Sequence, residues 1–376
     1  MNAETLDLAR RLVACRSITP DDAGCLDLIG SRLTAAGFAC ERIDRRVARN
    51  LWARHGRGAP LVCLAGHVDV VPPGAIDRWT SDPFVPAERG GYLYGRGVAD
   101  MKASVAAMVT AAERFVAAHP NHPGSIAVLL TSDEEGDAVD GTVAVVDVLR
   151  SRGESIDACI IGEPTSSVRL GDGLKNGRRG SLHGVLTVKG MQGHVAYPEL
   201  ARNPIHMAMP ALTELAATEW DRGDESFAST SFQISNVHAG SGASNVIPAA
   251  MDVVFNFRFS PASPAETLQA RALAILEKHG VDCDLAWTLA SLPFISPRGR
   301  LVTALSAAVT AVTGITPALS TGGGTSDGRF LAAISAELVE FGPVNATIHA
   351  IDERVHVADL GPLSLIYERT IATLLT

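Results

Sequence analysis

This sequence predicts an α/β protein: a mostly parallel, twisted sheet flanked by helices and interrupted by a smaller α+β domain. Three observations support this. Apolar runs of strand length alternate with helical stretches through the first part of the chain. Near Arg179 the pattern changes to strands in which every second residue is apolar. After about residue 292 the first pattern returns.

Residues 4–15 and 24–37 carry apolar residues at helical spacing, while 51–54, 61–66, 126–131 and 157–161 read as strands. The Ala-rich stretch 100–118 reads as a helix stopped by His119-Pro120. Leu182, Gly184, Leu186 and Val188 then alternate as a strand. A helix follows at 204–219, strands at 230–237 and 250–259, a helix at 264–279 and a strand at 282–289. The order β-α-β-β-α-β is the ferredoxin-like arrangement. A helix at 300–313 and a strand at 336–341 resume the first style. The expected organisation is one α/β domain from 1–179 plus 293–376, with 180–292 inserted. The sequence has no internal repeat and no low-complexity segment.

Composition narrows the function. A chain of 376 residues suits two domains of about 150 residues each. A hydrophobic content of 47% fits a globular protein with a large core, and its apolar runs fall far short of the ~20 residues that span a bilayer. Met1 to Asp7 reads as the start of an amphipathic helix, not as a signal peptide. The six cysteines include no CxxC pair, which favours reduced thiols in a cytoplasm over a disulfide frame. A formal net charge of −9 argues against nucleic acid as a main partner.

The chemistry lies where the strands end. Residues 61–66 lead into His67-Val68-Asp69, 126–131 into Ser132-Asp133-Glu134-Glu135, and 157–161 into Gly162-Glu163-Pro164. Asn345-Ala346-Thr347-Ile348 delivers His349, and Gly95-Arg96-Gly97-Val98-Ala99 leads to Asp100 at the head of the predicted helix. In open α/β sheets, ligands bind beyond the carboxyl ends of the strands. Two imidazoles and several carboxylates converging there have the composition of a hydrolytic zinc site, one with two metals. Asp69 is placed to accept the second imidazole N–H of His67. Asp100 either caps its helix or bridges two cations. Of Glu134 and Glu135, one can ligate while the other stays free as a base.

Other readings compete. Gly324-Thr325-Ser326-Asp327-Gly328 matches the G-x-S-x-G elbow of serine hydrolases, but no clear apolar strand precedes it. Gly95-Arg96-Gly97 lacks the third glycine of a dinucleotide fingerprint. Arg178, Arg179, Arg258 and Arg329 as a set suit an anionic substrate, because guanidinium binds carboxylate bidentately. His194, in the inserted domain, is either structural or a donor to a reacting carbonyl.

With these residues in view, the chain resembles the dinuclear zinc deacylases and exopeptidases, a family that takes in acetylornithine deacetylase-like and carboxypeptidase G2-like enzymes. The likeness runs over nearly the whole length. It rests on Gly66-His67-Val68-Asp69, on Gly95 through Lys102, on Thr131 through Gly136, on Lys175 through Leu182, on the His194 segment, on Gly323 through Phe330 and on Gly342 through His349. The resemblance implies a zinc-exopeptidase fold with an inserted dimerisation domain, two Zn²⁺ per subunit with Co²⁺ able to substitute, and a cytoplasmic homodimer. It implies that His67 and Glu163 hold one metal, Glu135 and His349 the other, and that Asp100 bridges them. Asp69 would support His67, Glu134 would be the general base, and His194 would reach the partner's site to stabilise an oxyanion. Arg178, Arg179, Ser181, Tyr197, Asn245, Arg258, Thr325 and Asn345 would line the substrate pocket. The implied reaction is hydrolysis of N-succinyl-L,L-2,6-diaminopimelate in bacterial lysine and diaminopimelate synthesis. The alternatives are another N-acyl amino acid deacylase, or a non-catalytic zinc-binding homologue. Ser291 stands where the family pattern carries glycine.

Overall fold

The computed structural model describes residues 2–376, and its contacts divide the chain into two units. One unit runs to Gly177 and continues through Ile295–Ser320 and Ser326–Thr376; the other comprises Arg178–Phe294 and Thr321–Thr325.

The first unit is built on an eight-stranded sheet. Its strands lie in the order Ala39–Arg42, Asn50–Gly56, Ser125–Thr131, Leu61–His67, Ile156–Ile161, Ser335–Glu340, Gly173–Lys175, Ala318–Ser320. The four from Ser125–Thr131 to Ser335–Glu340 are mutually parallel. Leu61–His67 and Ser125–Thr131 are buried along their whole length, which is why they read as continuous apolar runs. Each fully buried Leu, Ile or Val contributes roughly 1.5–3 kcal/mol through the water it leaves. Helices Asn2–Ala14, Ala103–Ala118, Arg300–Thr313 and Val357–Leu375 add their apolar faces to the same core. Parallel strands point their carboxyl ends the same way, so whatever follows His67, Thr131 and Ile161 is brought to one edge.

Three departures from the sequence reading have physical causes. Asp100 does not open the long helix, which starts at Ala103; Asp100 and Met101 have non-helical backbone within a preceding turn, Val98–Lys102. That turn lets Met101 fill the space left by two glycines. A Cβ on Gly66 would meet Met101 Cε at 2.2 Å, and one on Gly162 would meet it at 2.5 Å. Helix Thr142–Ser151 was not read from the sequence because its Thr and Val residues look strand-like. Helix Val357–Leu375 was hidden by Gly361-Pro362.

In the second unit, strands Ser231–Ala239, Ala250–Phe259, Gly180–Lys189 and Cys283–Ser291 form an antiparallel sheet in that order. Helices Pro204–Ala217 and Ala265–Lys278 complete the ferredoxin-like pattern. Its core is aromatic: Trp220 meets Phe257 edge-on at 4.6 Å between ring centroids, and Phe232 lies 5.0 Å from both Phe255 and Phe257.

Candidate active site

His67 ends its strand with the imidazole buried. Its Nδ1 lies 2.9 Å from the backbone carbonyl of Asp69, which accepts its N–H and leaves Nε2 facing the carboxylates. The Asp69 carboxylate, expected at that position, is farther away at 3.6 Å. Its oxygens instead accept the backbone N–H groups of Glu134 (3.4 Å) and Glu135 (3.1 Å). Asp69 therefore ties the His67 strand to the acidic loop.

Asp100 lies between two imidazoles. Its Oδ1 is 3.2 Å from His67 Nε2, and its Oδ2 is 3.4 Å from His349 Nε2. The turn that presents it is held by Glu353, which the sequence reading missed. The Glu353 carboxylate accepts the N–H groups of Gly97 (2.8 Å), Ala99 (2.8 Å) and Asp100 (3.1 Å) and pairs with the Arg96 guanidinium at 2.7 Å. Both charged side chains are buried. Partners so far apart in sequence leave no periodic signal, and only a buried acid late in the chain hints at them.

The loop after Ser125–Thr131 is shaped by Asp133, whose carboxylate accepts the N–H groups of Ala138, Val139 and Asp140. From this loop Glu135 Oε1 reaches His349 Nε2 at 2.9 Å. Glu163 Oε1 lies 3.8 Å from His67 Nε2. Two overlapping sets of donor atoms result, His67 with Asp100 and Glu135, and His67 with Glu134 and Glu163, each within 4.8 Å of one another.

The electrostatics reflect this crowding of carboxylates. Burial pushes Glu134 well above the usual carboxylate range; Asp327, Glu135 and Asp100 push it further, and His67 opposes them. Burial, then Asp100 and Glu134, does the same to Glu163. Burial disfavours a charged His67, but Asp100, Glu134 and Asp69 outweigh it and raise the imidazole. Hydrogen bonds to Asp100 and Glu135 raise His349 to about 10. Four acids and two imidazoles thus share one site, where divalent cations would offset the crowded carboxylate charge. The donor set fits two such ions.

The remaining predicted residues sit as follows. Asn345 belongs to the first unit, in the segment leading to His349, and its N–H donates to Ser166 O at 2.9 Å. The rest fall in the second unit. Arg178 is buried and donates to Gly322 O at 3.1 Å; Arg179 donates to Ser229 O at 3.4 Å. Ser181 stands opposite Arg258 in the sheet and accepts from Asn256 Nδ2 at 3.0 Å. His194, Tyr197 and Asn245 form one exposed group: the two rings are 5.7 Å apart, and Val195 N–H donates to Asn245 O. Thr325 is half-buried in the short segment that belongs to this unit. Ser291 is buried opposite Ser181 at a bulge. The rival Ser326 is also buried, and its hydroxyl donates to Glu340, a structural contact.

A model of peptidase family M20/M25/M40 matches residues 63–373. Among curated relatives, succinyl-diaminopimelate desuccinylase of Bordetella petrii is 61% identical over 374 residues, covering 100% of this chain and 98% of its own. The enzyme of the same name from Dechloromonas aromatica is 60% identical over 376 residues, covering 100% of both. Among solved structures, an M20 family metallo-carboxypeptidase from Sulfolobus solfataricus superposes with a TM-score of 0.81 at 16% identity, covering 99% of both chains. Aminopeptidase PepT from Bacillus cereus gives 0.79 at 19%, covering 100% of this chain and 99% of that one. At such identities these two likenesses are of fold alone.

Proposed function

Because the chain belongs to peptidase family M20/M25/M40, we propose that it hydrolyses N-succinyl-L,L-2,6-diaminopimelate to succinate and L,L-2,6-diaminopimelate. The observation that carries this is the convergence of His67, Asp100, Glu134, Glu135, Glu163 and His349, in a chain about 60% identical over its full length to enzymes named for that reaction.

His67 and Glu163 would hold one zinc ion and Glu135 and His349 a second, with Asp100 between them; Co²⁺ would serve in their place. When bound, the ions supply Lewis-acid polarisation and offset the carboxylate charge. Glu134 is not needed as a ligand. Free of the ions, its carboxylate can take a proton from water as the water oxygen adds to the succinyl amide carbonyl. It then returns that proton to the departing amine nitrogen as the C–N bond breaks. Asp69 fixes the loop that carries it. Arg178, Arg179 and Arg258 would pair with the substrate carboxylates, and Ser181, Thr325 and Asn345 would add neutral hydrogen bonds.

We further propose a cytoplasmic homodimer joined through the second unit, with His194 of one subunit donating to the oxyanion in its partner and Tyr197 and Asn245 beside it. Strand Ser231–Ala239 is a sheet edge with exposed residues. Met209 and Val237, 55% and 53% exposed, border an apolar groove with Ile205, Leu212 and Ile234. Such a face suits an isologous contact. No helix among the described residues is long and apolar enough to cross a membrane.

The test is kcat/KM of the metal-loaded protein on N-succinyl-diaminopimelate and N-acetylornithine. A site built around a substrate carboxylate rejects analogues lacking it strongly, so a preference of at least ~10²-fold for the succinyl compound is expected. Equal efficiency would leave only a general N-acyl amino acid deacylase.

A further inference from the structure

Cys15 and Cys25 take no part in this hydrolytic chemistry, yet the fold brings their side chains together. Cys15 follows helix Asn2–Ala14, and Cys25 is the first residue of helix Cys25–Ala35. Cys15 Sγ lies 3.4 Å from the Arg11 carbonyl oxygen and Cys25 Sγ 3.9 Å from that of Leu12, so both sulfurs rest on consecutive carbonyls at the end of the first helix. The two thiols neighbour each other closely enough to shift one another's proton affinity. Beneath them Lys102 is fully buried, and its Nζ donates to the Cys15 carbonyl at 2.8 Å. Among the described residues no carboxylate pairs with this ammonium.

The two sulfurs are not equivalent. Cys15 is half-buried and reachable from solvent; Cys25 is 0% exposed. Carbonyl oxygens at a helix end disfavour a thiolate. At Cys15 the neighbouring Cys25 thiol and the charge of Lys102 outweigh that and burial, and hold the thiol down at about 6. The same contact, with burial, pushes Cys25 up, so it keeps its proton. A thiolate is the nucleophile in sulfur chemistry, and a protonated neighbour in contact is a resolving thiol.

We propose that Cys15 and Cys25 form a reversible redox pair in which hydrogen peroxide oxidises Cys15 and Cys25 resolves it to an intramolecular disulfide. The Cys15 sulfur attacks one peroxide oxygen; the O–O bond breaks, and hydroxide leaves and is protonated to water. Cys25 sulfur then attacks the Cys15 sulfenic acid; the S–O bond breaks, the S–S bond forms, and the Cys25 proton leaves with hydroxide as a second water. Two thiols and one peroxide give one disulfide and two waters. The sulfurs must close to about 2.05 Å. On this proposal the exposed turn before Cys25, with Ala23 and Gly24 at φ 46° and 82°, would give way.

The chain contains its own control. Cys63 and Cys159 also stand side by side, in register on neighbouring parallel strands, but both are 0% exposed. Adjacency without access should leave that pair reduced.

The experiment treats metal-loaded protein, free of reductant and excess metal, with stoichiometric hydrogen peroxide, then maps alkylated peptides by mass. Loss of two hydrogens in a peptide pair joining Cys15 to Cys25, restored by dithiothreitol, is expected. In Cys25→Ser the same treatment should leave Cys15 trapped by a sulfenic-acid-specific diketone and then gaining two oxygens. In Cys15→Ser the rate of thiol loss should fall at least ~10-fold. On unmodified wild-type protein, iodoacetamide should label Cys15 before the more exposed Cys40. The proposal is overturned if both thiols remain alkylatable after peroxide, if the disulfide joins Cys63 to Cys159, if Cys15→Ser oxidises at the wild-type rate, or if Cys40 is labelled first. None of these readouts depends on the substrate.

Discussion

Substituting Glu353 by Gln should damage the metal centre without touching a ligand. In the native turn one carboxylate oxygen accepts from Ala99 and Asp100, and the other from Gly97 and Arg96. A glutamine carbonyl can serve one of these pairs. Its NH₂ then faces donors from the other, and Arg96, 2% exposed, is left as a buried charge without its counter-ion. Breaking a buried ion pair on one side costs about 3–5 kcal/mol. Burial holds Glu353 above the usual carboxylate range despite its hydrogen bonds, so desolvation is not fully offset and the lower end is the better figure. About 3 kcal/mol corresponds to a fall in Tm of roughly 4 °C for a chain of 376 residues, at about 2.1 cal/mol/K of unfolding entropy per residue. Asp100 should lose its fixed position as well, so zinc content at limiting metal should drop. The assay is urea denaturation of the metal-free protein together with bound zinc per subunit. Removing both charges with Arg96→Met and Glu353→Leu should recover most of the stability but not the metal. An unchanged denaturation midpoint and unchanged zinc in Glu353→Gln would refute the scaffold argument.

The other predictions concern the site itself. Glu134→Gln should keep both metals and lower kcat by roughly 10²–10⁴, whereas Glu135→Gln should also lose bound zinc; metal analysis beside kcat separates them. His194→Ala should cost roughly 10²–10³ in kcat with metals retained, and mixing it with Glu134→Gln subunits should regenerate activity; no recovery after verified subunit exchange would sink the shared site. In the metal-free protein His349 loses its proton only near about 10, and zinc binds the neutral ring. Zinc affinity should therefore rise with pH from 6 to 9, and binding should release protons. Calorimetric titration in buffers of different ionisation heat reads this directly, and a buffer-independent heat would contradict it.

What could be read from sequence divides along physical lines. Strands buried on both faces, such as Leu61–His67, announce themselves as apolar runs, and the residues after them share one edge because parallel strands end together. The contacts that aim those residues were not readable. Glu353 and Arg96 meet through tertiary folding, Asp133 organises its loop through backbone N–H groups, and the carbonyl of Asp69, not its carboxylate, lies nearest His67. None of these leaves a periodic trace. The turn at Asp100 was misread as a helix start because only packing reveals that Met101 must occupy the space above Gly66 and Gly162.

Glu353 and His349 also bear on how the centre comes into being during synthesis. The ribosome releases His67, Asp100, Glu135 and Glu163 early, and the strands that carry them can begin to pair as they emerge. The acid that steadies the Asp100 turn and the imidazole that faces Glu135 are translated near the end. The following helix, Val357–Leu375, then packs on Ala103–Ala118. A nascent chain halted before His349 carries most of the candidate ligands but neither that imidazole nor the acid that anchors Asp100. On the proposed ligand assignment the metal centre is complete only once the end of the chain has been made, and a chain cut short before His349 would lack one of its ligands.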